Sequence, residues 1–207
     1  MRRPGGARHR LRAGLGHAYA RLLAARGARV VVHDAGVALD GSGYHPAVAR
    51  AAADEIRGEG GVAEATDINV ETRQSCEDLI AFVLGRFGRI DILIHNAAII
   101  SYEDIAQIEP ALWERMTLVN VQAPFWLSRA ALAKMRPEGD GRIVFTISGV
   151  AMYPEAAMPG LTAYAVGKGR SVRADERPDR GGRGHRNPHQ CHLACGRHPN
   201  APPPDSP

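Results

Sequence analysis

The 207-residue sequence predicts an α/β fold built on a doubly wound parallel sheet, and three observations carry that expectation. Short aliphatic, β-branched runs such as "ARVVVHD" and "GRIVFTIS" alternate with longer stretches of helical apolar spacing. The short runs are apolar throughout instead of at every second residue, which is the pattern of strands covered on both faces. The length also suffices for one such domain with a sizeable core.

Taken in order, "GHAYARLLAARG" (16–27) has apolar residues at helical spacing and closes on a glycine C-cap signal. "ARVVVHD" (28–34) is a buried strand ending on Asp34, and "HPAVARAAADEIRGEG" (45–60) is a helix. "GVAEATDINV" reads as a strand reaching Val70, "TRQSCEDLIAFVLGRFG" (72–88) as an amphipathic helix, and "RIDILIHNAAII" (89–100) as a β-branched strand. "EPALWERMTLVNVQAPFWLSRAALAKMR" (109–136) is one long helix with Pro124 inside it, as a kink or a tolerated irregularity. "GRIVFTIS" (141–148) is a further strand, and Leu161 opens another helix. Sheets of this type bind ligands at the carboxyl ends of their strands, where Asp34 and Ser148 stand.

Composition divides the chain. Every aromatic residue lies between Tyr19 and Tyr164, and seven of the 14 prolines follow Lys168. Beyond Lys168 the only aliphatic side chains larger than alanine are Val172 and Leu193, too few to offset the entropy of ordering. Three regions are therefore expected: a basic stretch 1–12, a core 13–168, and a disordered Pro/Arg/His-rich tail 169–207. The first carries net charge +5 and the tail net +3, so the core is at −4 within the total of +4. A basic balance confined to the ends is poor support for a nucleic-acid partner. Three cysteines suggest no disulfide framework, and no apolar run approaches the length of a membrane span. "MRRPGGARHRLRAGLG" lacks the apolar segment of a secretory signal, so a cytoplasmic location is expected.

Tyr164 and Lys168 stand one helical turn apart on one face. A free phenol titrates near pH ~10 and is a poor base at neutrality. An adjacent ammonium favours the phenolate and makes the tyrosine a usable acid/base. Such a pair alone is common, and an exposed Tyr–Lys contact is its plainer reading.

The set is more specific than the pair. "GLG" at Gly14, Leu15 and Gly16, "VVVHD" ending at Asp34, "NV" at Asn69 and Val70, "HNAA" with Asn96, Ala97 and Ala98, "VNV" around Asn120, "TIS" at Ser148 and "YAVGK" from Tyr164 to Lys168 follow one another in order. Over Gly14–Lys168 the chain resembles the short-chain dehydrogenase/reductase family, which implies a Rossmann-type fold and hydride transfer between a nicotinamide cofactor and a carbonyl or alcohol. The resemblance assigns Tyr164 as general acid/base on the substrate oxygen and Ser148 as its polarising partner. Lys168 would lower the tyrosine pKa and bind the nicotinamide ribose, and Asn120 would anchor a proton-relay water. Gly14, Leu15, Gly16, Asp34, Asn69, Val70, Asn96, Ala97 and Ala98 would line the cofactor, and no metal is expected. Asp34 accepts from ribose hydroxyls and repels a 2′-phosphate, favouring NAD over NADP. The long loop "AGVALDGSGYHP" resembles the branch of hydroxyacyl-CoA-type reductases and peroxisomal multifunctional enzymes, implying a small-molecule, hydroxyacyl-like substrate. Family members assemble as homodimers or homotetramers through the helices beginning near Glu109 and Leu161, and the second helix is cut short here.

Both ends depart from the resemblance. Only Gly14 and Gly16 remain of a TGxxxGxG turn, Ala98 replaces its usual glycine, and "RRPGGARHRLR" cannot be a central strand. The expected sheet is therefore incomplete, lacking its first strand and its C-terminal strands. Offsetting the codons by one base permits "VALVTGS" in place of 5–11 and "AATGIRINAISPVA" in place of 183–196, so two frameshifts are the expected cause. His185, His189, Cys191, His192, Cys195 and His198 lack clean zinc-ligand spacing and suit out-of-frame G+C-rich codons better than a metal site. The alternative is a non-catalytic remnant whose basic ends bind nucleic acid or metal adventitiously.

Overall fold

The computed structural model describes residues 14–153 and 158–172, and the backbone of 189–196. The basic stretch 1–12 and the tail segments 173–188 and 197–207 lie outside the described residues, and so does the expectation of disorder there.

Strand and helix alternate as expected: α1 (Leu15–Ala25), β1 (Arg29–His33), α2 (Ala47–Gly58), β2 (Val62–Thr66), α3 (Arg73–Phe87) and β3 (Ile92–His95). They are followed by α4 (Pro110–Thr117), a π-helical turn Leu118–Gln122, α5 (Ala123–Glu138), β4 (Gly141–Ser148), α6 (Thr162–Val172) and β5 (His189–Gly196). The apolar strands are shorter than their sequence runs. Asp67–Val70 and Asn96–Ile100 leave the ladders and become loops at the carboxyl edge.

Every ladder is parallel. β1 pairs with β2 from Arg29↔Val62 to His33↔Thr66, and β3 pairs with β4 from Ile92↔Arg142 to His95↔Phe145. Among the described residues these form two sheets, β1–β2 and β3–β4–β5, with no described strand between β1 and β3. Each sheet is packed by helices along its apolar strands. Ala20 and Ala24 of α1 and Ala53 and Ile56 of α2 pack with Ala63, Val30 and Val32. On the second sheet Leu79 and Ile80 of α3 and Leu127, Ala131 and Met135 of α5 pack with Ile143 and Phe145.

The helical run 109–136 carries an irregularity at Pro124, as its sequence allows. It widens into the π turn immediately before, so that the Ala123 N–H reaches the Leu118 carbonyl five residues back. Proline has no N–H, and its ring crowds the carbonyl four residues earlier, here that of Asn120. Widening the preceding turn relieves that conflict and leaves Pro124 in the first turn of α5, where proline is tolerated. Two segments beyond Lys168 are described. α6 continues to Val172, and His189–Gly196 forms a strand parallel to the whole of β4, from Gly141↔His189 to Ser148↔Gly196. The edge of β4 offers the backbone N–H and C=O groups for this ladder.

Candidate active site

α6 packs across β4 and against the π turn, and this crossing gathers four of the expected residues. Asn120 is 1% exposed, Lys168 2%, Ser148 6% and Tyr164 7%, so all four are buried polar groups on neighbouring elements. Buried polar groups are costly unless bonded. Asn120 meets that condition within the chain: its Oδ1 accepts from the Ile99 N–H at 2.9 Å and its Nδ2 donates to the Ile99 carbonyl at 2.8 Å. The amide thus fastens the π turn to the loop leaving β3. Gly167 allows α6 to approach, since a Cβ there would lie 3.2 Å from the Asn120 Cβ.

Lys168 reaches back along α6 so that Nζ donates to the Thr146 carbonyl at 3.0 Å, and it stands 6.0 Å from the Tyr164 ring centroid. Burial pushes its pKa down from 10.5 to about 8, because the charged form loses hydration. The ammonium is therefore largely retained at neutral pH and lost in the mildly alkaline range. Ser148 closes β4 at the sheet's carboxyl edge, and the chain turns there into the 3₁₀ turn Gly149–Ala151.

The expected cofactor residues lie on the same edge. Gly14 precedes α1, whose first N–H groups receive no side-chain cap, and open space surrounds the position a Gly14 Cβ would take. A Cβ on Gly16 would meet the Asn96 Nδ2 at 3.1 Å, so this glycine lets α1 reach the exit of β3. Leu15 is exposed, Val70 is buried, and Asn96, Ala97 and Ala98 are half-buried behind β3. Two polar residues are partly occupied by the chain. The Asp34 Oδ1 accepts from the Gly36 N–H at 2.8 Å, and the Asn69 Oδ1 accepts from the Glu71 N–H at 2.9 Å. Each keeps further acceptor or donor capacity for a ligand. Uncapped amides at the start of a helix, with two small residues beneath, fit the pyrophosphate of a dinucleotide.

Two features escape sequence reasoning. His95 appears there only inside "HNAA", yet it is 5% exposed and its Nε2 has no hydrogen-bond partner among the described residues. Burial first, then the charge of Lys168, lowers its pKa from 6.5 to about 3. His33, at the end of β1, is also pushed down by burial, against the opposing pull of the Ile68 carbonyl 2.6 Å from its Nε2. The second is Arg115, which links three segments across the cleft's edge. No local pattern marks either residue, although the proline four places after Asn120 did signal the irregular turn. Among the described residues, no group of three or more His, Cys, Asp or Glu could hold a metal, and no helix is long and apolar enough to cross a membrane. A groove of about 370 Å³ between α3 and α5 lies apart from these residues.

Comparison with known proteins matches the model of the short chain dehydrogenase family over residues 11–171. The chain is 35% identical over 154 residues to the peroxisomal hydratase-dehydrogenase-epimerase of Saccharomyces cerevisiae, covering 74% of this chain and 17% of that one. It is 34% identical over 154 residues to peroxisomal multifunctional enzyme type 2 of Mus musculus, covering 74% and 20%. The chain thus spans about a fifth of the length of these relatives. A metagenomic short-chain oxidoreductase solved in complex with NADP superposes with a TM-score of 0.68 at 28% identity, covering 78% of this chain and 69% of that one.

Proposed function

The chain belongs to the short-chain dehydrogenase family, and we propose that its site serves hydride transfer between NAD(H) and a carbonyl or alcohol carbon of a small, hydroxyacyl-like substrate. The observation that carries this reading is the crossing of α6 over β4 and the π turn, which buries Tyr164, Lys168, Ser148 and Asn120 together. The nicotinamide, when bound, supplies or accepts the hydride. The chain's residues do the rest. Ser148 donates a hydrogen bond to the substrate oxygen, holding it beside the Tyr164 hydroxyl. Tyr164 gives the proton to that oxygen in reduction and takes it in oxidation. Lys168 keeps a positive charge near the phenol and favours its ionised form. Asn120, fixed on Ile99, orients the relay that returns the proton to solvent. Gly14–Gly16 and the first amides of α1 take the pyrophosphate, Asn69–Val70 and Asn96–Ala98 flank the cofactor, and Asp34 takes the adenosine ribose. A carboxylate there favours NAD over NADP through repulsion of a 2′-phosphate.

The same reading holds that 1–12 and the stretch after Lys168 are out of frame, and that the protein is a weak or inactive cytoplasmic copy of this enzyme type. The unrelated composition of both stretches supports it. So does the position of β5, which lies beside β4 within the stretch that the offset reading turns into a strand. Resequencing the DNA across the codons for Arg10–Gly14 and Gly167–Arg170 tests the frame directly. Single-base shifts are expected there. A frame-restored chain should then reduce NAD with secondary alcohols or hydroxyacyl thioesters and prefer NAD to NADP. An unshifted reading together with full activity of the 207-residue chain would overturn this part.

A further inference from the structure

We infer that Arg115 is a positioning residue for the adenosine half of the cleft, an assignment resting on the proposed dinucleotide site. Arg115 lies on α4, five residues before Asn120, with its side chain about one-third exposed. Its Nε donates to the Glu71 Oε1 at 2.7 Å, and its Nη1 donates to the Gly41 carbonyl. Glu71 directly follows Asn69 and Val70, and the Asn69 side chain holds the Glu71 N–H. Gly41 belongs to the long loop that follows Asp34. One guanidinium therefore ties the loops leaving β1 and β2 to the helix that leads into Asn120.

Other bonds close the same circuit. The Ile100 N–H donates to the Leu39 carbonyl at 2.7 Å, joining the loop after β1 to the loop after β3. Ile99, next to it, is the residue gripped on both sides of its peptide by Asn120. The Tyr44 hydroxyl donates to the Asp67 Oδ2 at 2.6 Å, binding the far end of the loop to the exit of β2. The fit at Gly41 is close. Its φ is +83°, and a Cβ there would stand 2.9 Å from the Arg115 Nη1 and 3.0 Å from the Ile99 Cδ1. A side chain at this position would be strained and would displace the clamp.

The chemistry suits arginine. Its fork donates to a carboxylate and a carbonyl together, whereas lysine is a point charge that satisfies one acceptor well. Arg115 touches neither the reacting atoms nor the ligand. It acts by holding the loops that carry Asp34 and Asn69, so its removal should weaken any ligand that contains adenosine and spare one that does not.

The test compares wild type with Arg115→Met, Glu71→Gln and the double variant by two readouts. The first is amide hydrogen exchange without ligand. Arg115→Met is expected to speed exchange over residues 36–45 and at Ile100 and to leave β4 unchanged. The second is calorimetric affinity for ADP-ribose and for nicotinamide mononucleotide. ADP-ribose should bind about tenfold more weakly to Arg115→Met, the usual scale for losing a charged hydrogen bond, with nicotinamide mononucleotide unaffected. The double variant should lose little beyond Arg115→Met, because both substitutions break one link. Arg115→Lys should fall between, and it serves if the methionine variant does not fold. Unchanged exchange, or equal loss for both ligands, would overturn the assignment. Failure of both wild type and the frame-restored chain to bind ADP-ribose, while exchange responds to Arg115→Met, would sink the dinucleotide reading and leave the clamp standing.

Discussion

At the scale of the residue, the site is a set of buried groups whose ionisation is tied to stability. Lys168 is held at a pKa of about 8 against 10.5 in a free side chain. The unfolded chain therefore binds more protons between those values, and stability rises as pH climbs from about 8 to 10.5. The full rise is about 3 kcal/mol. It should be visible in denaturant midpoints taken across that range and absent in Lys168→Met, which should also lose turnover in an active, frame-restored chain. His95 works in the opposite range with the same sign. Its folded pKa of about 3 lies below the free value of 6.5, so stability present above pH 6.5 is lost as pH falls toward 3. His95→Leu should flatten that slope, and an unaltered slope would show that the imidazole is hydrated in solution.

Elements set these residues against one another, and here the contact between α6 and the π turn is decisive. Gly167→Ala gains about 1 kcal/mol of helix propensity, but it places a methyl 3.2 Å from the Asn120 Cβ. Asn120 cannot yield freely, being bonded twice to Ile99. The variant should lose about 1–2 kcal/mol net, measured by urea unfolding, and in a frame-restored chain kcat should fall more than KM. Legibility of the fold follows the same division. Helices and strands that bury a continuous apolar stripe, such as α3 and β4, were readable because period and burial coincide. Residues 67–70 and 96–100 were overread as strand, since β-branched side chains can also line a loop at a sheet's edge. Tyr164, Lys168, Ser148 and Asn120 were legible as a spaced set. The Arg115 clamp was not, because its partners lie 44 and 74 residues away in sequence. β5 has no apolar strand run of its own in sequence, and its pairing partner is the edge of β4.

On the scale of the whole molecule, the described strands form two sheets, joined through Arg115, the Leu39–Ile100 bond and helix packing. Such a junction has few backbone bonds, so the β1–β2 half should open at lower free energy than the half built on β3 and β4. Native-state hydrogen exchange should therefore show β1 and β2 amides exchanging before those of β4, and simultaneous exchange would mean the halves unfold together. A frame-restored chain should merge them into one cooperative unit. The proposed function at this scale is that of an NAD-dependent oxidoreductase whose proton passes through Tyr164. It is tested most directly by the rate of NAD reduction by the frame-restored chain, with Tyr164 intact and as Tyr164→Phe, against secondary alcohols and hydroxyacyl thioesters. The account predicts turnover in the first and a loss of about 10²–10⁴-fold in the second. Equal rates, or no turnover in the restored chain, would contradict it.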